Sequence, residues 1–342
     1  GAYMNTQPFY HAEEMFSSLP DHPSCHASTI VCLPDGDLLT AFYAGSVEKA
    51  ADVVILLSRY RAWDGVWSPP EVVVDLPDKS VGNPVLFLTP SGILWFFYLI
   101  MQGNKWYHCT IDSMRSTDYG ASWEPDNVFR ADAGWTTRNN LVVLDTGAIL
   151  FPLSDNVEGH SIFMVSEDGG RTWQQLGKIV SDPHNEQPAV VQLSDGSLLA
   201  YMRTAGKGGR CWQSRSFDRG RSWTLAEPGP FSNPNSAMAM IRLESGGLVL
   251  VYNDSDNYRY RTPLNIALSL DDGVTWPFVR SLETREGEFT YLTTRLDNSD
   301  SIEFSYPAIA QDREGYIHVT YTNCRENIKH VVVNEAWIQQ RS

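Results

Sequence analysis

Three observations in the sequence predict an all-β chain folded as a six-bladed β-propeller. An apolar run, a Gly-containing turn and a second apolar run recur six times along the chain. Four Ser-x-Asp-x-Gly-x-x-Trp segments interleave with these hairpins. No long stretch carries the 3.6-residue period of an amphipathic helix, so helix content should be low.

The hairpins read STIVCLPDGDLLTAFYAG, PVLFLTPSGILWFFYLI, NLVVLDTGAILFPLS, AVVQLSDGSLLAYMRT, AMIRLESGGLVLVYND and AIAQDREGYIHVTYT. Their turn glycines are Gly36, Gly92, Gly147, Gly196, Gly246 and Gly315, spaced 56, 55, 49, 50 and 69 residues apart. Glycine supplies the positive φ that tight hairpins demand. The second repeat reads STDYGASW (116–123), SEDGGRTW (166–173), SFDRGRSW (216–223) and SLDDGVTW (269–276), with a degraded copy from Ser58 to Trp67. Its Asp suits a turn in which the carboxylate binds nearby backbone amides, and its Trp can pack underneath. This motif builds blades and performs no chemistry.

Each repeat thus holds one hairpin and a further pair of strands, and four strands in each of six units is propeller arithmetic. The tail IKHVVVNEAWI (328–338) reads as another strand pair, and the final blade is expected to share strands with the N-terminal segment. The widest spacing contains a charged insertion between Arg280 and Glu303, expected to arch over one face. No Pro/Gly/Ser linker divides the chain, so residues 1–342 read as one domain. Gly1–Tyr3, ahead of Met4, read as a vector-derived remnant.

Composition narrows the partners. Lys and Arg number 26 against 41 Asp and Glu, a net charge of −15 that offers no basic stripe to a nucleic acid. An acidic small molecule is compatible if a few arginines focus a local positive field. The five cysteines, Cys25, Cys32, Cys109, Cys211 and Cys324, lack a CxxC pair and suggest neither zinc nor a disulfide framework. The eight histidines show no HxH or HExxH spacing, and GKGG (206–209) lacks the phosphate-loop pattern. No metal or cofactor is expected. The sequence holds no apolar run long enough to span a membrane, and GAYMNTQ is no secretory leader, which predicts a cytoplasmic location. The oligomeric state is not legible.

In a propeller the innermost strands begin at one mouth of the central channel. Counting back from each turn glycine gives His26, Asn83, Arg138, Glu186, Asn235 or Ser236, and Tyr306. A ring of polar residues in register is more than folding requires, and carbohydrate is the natural ligand for such a floor.

Six hairpin units carrying four of these Asp boxes resemble the sialidase superfamily over essentially the whole chain. The stretch NEQPAVVQLSDGSLLAYMR is similar to the family's fourth blade, which implies Glu186 as a base and Arg203 as a substrate-binding arginine. By the same likeness YRTPLNIALSLDDGVTWP supplies Arg261, with Arg259 as the alternative, and FSYPAI supplies a nucleophilic Tyr306. GSVEKAADVVILLSR resembles the segment that provides the acid, implying Asp52, with Glu48 as the alternative. One position departs: Cys25-His26-Ala27 stands where the family has Arg-Ile-Pro, so the first arginine of its triad is absent. Arg138 is the expected replacement.

These residue types suit one reaction. A sialic acid bears a carboxylate on its anomeric carbon, which repels a carboxylate nucleophile, whereas a neutral phenol is not repelled. A phenol with an ordinary pKa of about 10 needs a base, here Glu186. Guanidinium forks grip a carboxylate bidentately. The leading expectation is a retaining exo-glycosidase that releases a carboxylated sugar. Two alternatives are a polysaccharide lyase using His26 and Tyr306 on uronic acids, and a propeller that binds glycans without turnover.

Overall fold

The computed structural model describes residues 7–125, 127–290 and 301–340. Gly1–Tyr3 and residues 291–300 of the charged insertion lie outside the described residues. The described strands form six antiparallel sheets arranged as the blades of a propeller.

Blade 1 runs from its inner strand Ser24–Cys32 through Leu38–Gly45 and Val54–Arg61, whose outer edge takes both Val66–Trp67 and Glu71–Val74. Blade 2 is Val81–Leu88, Leu94–Met101, Cys109–Ser116 and Asn127–Arg130. Blade 3 has a broken inner edge, Trp135–Thr136 and Val142–Val143, both paired to Ile149–Asp155, then His160–Ser166 and Gln174–Ile179. Blade 4 comprises Glu186–Gln192, Leu198–Arg203, Gly209–Ser216 and Glu227–Asn233. Blade 5 comprises Ala239–Arg242, Leu248–Asn253, Leu264–Ser269 and Phe278–Glu283. Blade 6 is Phe304–Gln311, Ile317–Asn323 and Asn327–Val333, completed by Tyr10–Glu14 from the other end of the chain. Tyr10 pairs with Val333 and Glu14 with Lys329, so the ring closes through N-terminal strand addition, as expected.

Sequence chemistry explains the regularity. All six hairpin glycines adopt φ between 86° and 92°, a conformation that a Cβ would strain. In each Ser-x-Asp segment the Ser hydroxyl accepts from the Gly amide, at 2.8 Å for Ser216 and Gly220, and donates to the Asp carboxylate. That carboxylate in turn accepts the amide two positions after the Gly, as Asp218 does from Ser222 at 2.9 Å. The motif's Trp residues then enter the seams between blades: Trp173 packs on Phe97 and Phe151, and Trp223 stacks on Phe163 at 4.6 Å. Each seam between neighbouring blades holds its own apolar cluster. Phe42, Phe97, Phe151 and Phe163 are fully buried there, each removing apolar area worth about 2–3 kcal/mol from water.

A second regularity positions the site. The inner strands of blades 1, 2, 4 and 6 each break register near the channel mouth, between His26 and Thr29, Gly82 and Val85, Glu186 and Ala189, and Ser305 and Ala308. The break carries a left-handed non-glycine residue in each case: Ala27, Asn83, Gln187 and Tyr306, with φ from 38° to 62°. Asn235, just ahead of the blade 5 inner strand, is left-handed too, at 60°. Such backbone strain persists only where surrounding structure holds it, and it re-aims side chains toward the axis.

Candidate functional site

A polar cleft of about 370 Å³ opens at this mouth. Glu48, Asn83, Glu186, Arg203, Asn235, Arg261 and Tyr306 all line it, from blades 1, 2, 4, 5 and 6. These residues are remote in sequence, and the left-handed breaks bring several of them to one opening.

Tyr306 is the hub. Arg203 Nη1 donates to its hydroxyl oxygen at 2.8 Å, and Gln187 Nε2 donates at 3.2 Å. The guanidiniums of Arg138, Arg261 and Arg203 lie 4.9, 5.6 and 5.9 Å from its ring centroid. Arg203 is itself fixed by Asn235 Oδ1 at 2.8 Å, Gln187 Oε1 at 3.1 Å and the Glu186 carboxylate at 3.1 Å. Gln187 was not anticipated. The register break turns Gln187 toward the phenol and leaves Glu186 on the far side of Arg203.

A second unanticipated residue is Arg325, in the turn 324–326 of blade 6. It is buried, and its Nε donates to Glu303 at 2.7 Å while its Nη1 reaches Glu48 at 3.0 Å. Arg261 Nη1 binds the other oxygen of Glu303 at 3.0 Å. Glu303, only 1% exposed, therefore sits between two guanidiniums and also accepts from Ser305. Burial works to raise the Glu303 carboxyl, but Arg325 and Arg261 outweigh it and hold it below the ordinary value. Glu48 behaves alike: burial opposes its charge, Arg325 more than compensates, and Tyr43 donates to it at 3.0 Å. The Arg261 ring contact with Phe289, at 4.3 Å, comes from the described part of the 280–303 insertion.

Three expected residues are placed elsewhere and require correction. Arg138 does not line the cleft. Its Nη1 donates to Ser28 O at 2.8 Å, and its Nη2 donates to Tyr306 O and Pro307 O at 2.6 and 2.8 Å, so it braces the floor across the channel axis. Burial lowers its guanidinium to about 10. His26 is also buried beneath the cleft, its ring 4.1 Å from that of Tyr306 and its Nδ1 bonded to Thr322 Oγ1 at 2.8 Å. Burial, reinforced by Arg325 and Arg261, pushes its pKa well below the usual value and leaves the imidazole neutral. Asp52 turns back to the Ser46 amide and hydroxyl, at 3.1 and 3.0 Å, and the acid that faces the cleft from this connection is Glu48. Among the described residues no group of three or more His, Cys, Asp or Glu is placed to hold a metal. Among them, too, no helix is long and apolar enough to cross a membrane.

A family model described as a BNR repeat-like domain matches residues 36–319. The chain belongs to this BNR repeat-like family, within the sialidase superfamily. It is 23% identical over 337 residues to a sialidase of Micromonospora viridifaciens, an alignment that takes in 86% of this chain and 52% of that protein. A sialidase of Bacteroides fragilis is 27% identical over 302 residues, 75% of this chain and 55% of that one. The chain therefore spans about half the length of these curated relatives. Among solved structures, the Hadza microbial sialidase Hz136 superposes with a TM-score of 0.78 at 18% identity, covering 96% of this chain and 69% of that one. The intramolecular trans-sialidase of Ruminococcus gnavus gives 0.76 at 13% identity, covering 95% and 97%. At these identities the structural likeness speaks to the fold. A six-bladed ring of this kind also superposes, at 0.68 and 15% identity, on an α-L-arabinanase of Penicillium chrysogenum, covering 96% of this chain and 99% of that one.

Proposed function

We propose that the chain is a retaining exo-glycosidase that releases a terminal carboxylated sugar, a sialic acid or a related keto-deoxy acid, with Tyr306 as nucleophile. The observation that carries this reading is the convergence of Arg203, Arg261 and Arg325 on one cleft around the Tyr306 phenol. A substrate carboxylate next to the anomeric carbon meets guanidinium forks there, and the neutral phenol attacks without charge repulsion. The sialidase relatives support the same class of chemistry.

In this reading Arg325, rather than Arg138, supplies the charge that blade 1 lacks. The phenol oxygen attacks the anomeric carbon, and its proton passes through a water to Glu186, which is held on the same Arg203. The glycosidic oxygen leaves with a proton from Glu48. Glu48 is ionised while Arg325 is its partner, and a substrate carboxylate that engages Arg325 leaves burial as the dominant influence, which favours the protonated acid. Water, deprotonated by Glu48, then attacks the anomeric carbon, the glycosyl–tyrosine bond breaks, and Glu186 returns its proton to the leaving phenolate. Elimination through His26 draws no support, because that imidazole is covered by Tyr306 and does not reach the cleft.

The test is turnover of a fluorogenic α-sialoside by the wild type and by Tyr306→Phe. The expected result is a loss of at least about a hundredfold in kcat with binding retained. Robust turnover by the Phe variant overturns the nucleophile assignment. Binding of the free sugar acid with no turnover by the wild type favours the glycan-binding alternative.

A further inference from the structure

The walls of the cleft are uneven. Connections between the second and third strands are long at residues 46–53, 102–108 and 254–263, in blades 1, 2 and 5, and short at 156–159, 204–208 and 324–326. The blade 1 connection carries Glu48, the acid that faces the cleft, so the leaving group it protonates lies against the blade 1–2 wall.

That wall has a distinct chemistry. Trp106 lines the cleft and leans over Gly82, so closely that a Cβ there would stand 3.3 Å from its ring. Lys49 Nζ is 5.9 Å from the Trp106 centroid, and the Lys49 backbone is left-handed, with φ 72°. For a long-chain residue that conformation is strained, and here it delivers a cation to the cleft edge. Lys105 and Tyr107 line the same edge and are exposed. Among the described residues neither lysine pairs with a carboxylate, in a chain whose net charge is −15. Lys49 Nζ near the indole and an exposed Lys105 on the same cleft edge suit a sugar ring that packs on the aromatic and bears a negative group.

We infer that Trp106, Lys49 and Lys105 form a leaving-group subsite for an acidic sugar, so that the substrate carries a second anionic group on the residue next to the one released. The inference rests on the hydrolase reading above. It names the chemistry of the leaving residue, a carboxylate or a sulfate ester, which the three-arginine cleft does not specify.

The experiment compares kcat/KM on sialosides whose leaving sugar is neutral, carboxylated or sulfated, in 0.05 and 0.5 M NaCl, for the wild type and the Lys49→Gln/Lys105→Gln double variant. The expected result is a preference of about five- to tenfold for one or both acidic leaving sugars at low salt. That preference shrinks at high salt and falls to near one in the double variant. The carboxylated and sulfated arms tell which anion is favoured. Equal or better turnover of the neutral glycoside at low salt overturns the subsite, as does an acidic preference that survives in the double variant. Failure of the wild type to bind or turn over any of the three overturns the hydrolase reading itself, and the subsite with it.

Discussion

Arg325→Met removes the guanidinium that joins Glu303 to Glu48. The wild-type side chain makes contacts of 2.7 and 3.4 Å to the two oxygens of Glu303 and 3.0 Å to Glu48. Methionine keeps much of the apolar stem but leaves Glu303, 1% exposed, with Arg261 and Ser305 as its remaining side-chain partners among the described residues. Breaking a buried pair from one side typically costs about 3–5 kcal/mol, because an uncompensated charge remains in low dielectric. For 342 residues the unfolding entropy is about 0.7 kcal/mol/K, so the melting temperature should fall by about 4–7 °C. The double variant Arg325→Met/Glu303→Gln removes the stranded charge as well and should recover at least half of that loss. In parallel, KM for a carboxylated glycoside should rise by about thirtyfold or more in the single variant, and it should stay raised in the double variant. Thermal melts and initial-rate kinetics on the four members of this cycle give the result. A single variant that melts within 1 °C of wild type, or a double variant no more stable than the single, would refute the reasoning about Glu303. An unchanged KM in both would remove Arg325 from the substrate's carboxylate.

Three further outcomes follow from the same structure. Glu186→Gln should lower kcat by about 10²–10⁴, and adding Gln187→Glu, which puts a carboxylate beside the Tyr306 hydroxyl, should restore at least tenfold; no rescue would show that contact with the phenol is not what the base requires. Trp67 can only donate to His330 Nδ1, at 3.3 Å, so His330 Nε2–H donates to His318 at 2.9 Å, and His318 Nε2 in turn meets Asp312 at 2.8 Å, a chain that needs the His330 imidazole neutral. Burial lowers His330 to about 4, so between pH 6.5 and 4 the unfolded chain binds a proton that the native one refuses. Stability should fall by roughly 3 kcal/mol as pH drops through that window; a His330→Gln variant with the same pH slope would refute the assignment. Ser216→Ala strands the buried Gly220 amide and should cost about 1–3 kcal/mol, a fall of about 1–4 °C with KM unchanged; a shift in KM would contradict a purely architectural role.

The sequence made the ring legible because its punctuation is local. A turn glycine with φ near 90° and an Asp that binds its own turn are decided within a few residues, and both recur often enough to count. Closure through Tyr10–Glu14 was legible from the strand-forming tail at the other end, although that tail holds one strand, Asn327–Val333, and a short helix, Glu335–Gln339, in place of the expected strand pair. Tyr306 was reachable because inner-strand starts keep their positions from blade to blade, whereas Arg203, at the end of a second strand, and Arg261, in the connection ahead of a third, came from the likeness to the sialidase superfamily. The register breaks were not. One inserted residue exchanges the faces of a strand, which is why Gln187 and not Glu186 meets the phenol. Arg325 escaped because it sits in a turn between outer strands, a place that counting back from the hairpin glycine never visits. The left-handed Cys324 and Arg325 leave no mark in the letters NCREN. Arg138 misled for a related reason: its position on the axis is real, but blade 3 has a broken inner edge there, and backbone carbonyls of blades 1 and 6 take its donors.

The most direct measurement is mass spectrometry of the protein after incubation with a fluorinated sialoside that forms the covalent intermediate faster than it hydrolyses. The account predicts one added sugar mass, located by fragmentation on the peptide that carries Tyr306 and lost when Tyr306 is Phe. A sugar attached to Glu48 or Glu186, or steady turnover of a natural sialoside with no adduct trapped under any condition, would contradict it.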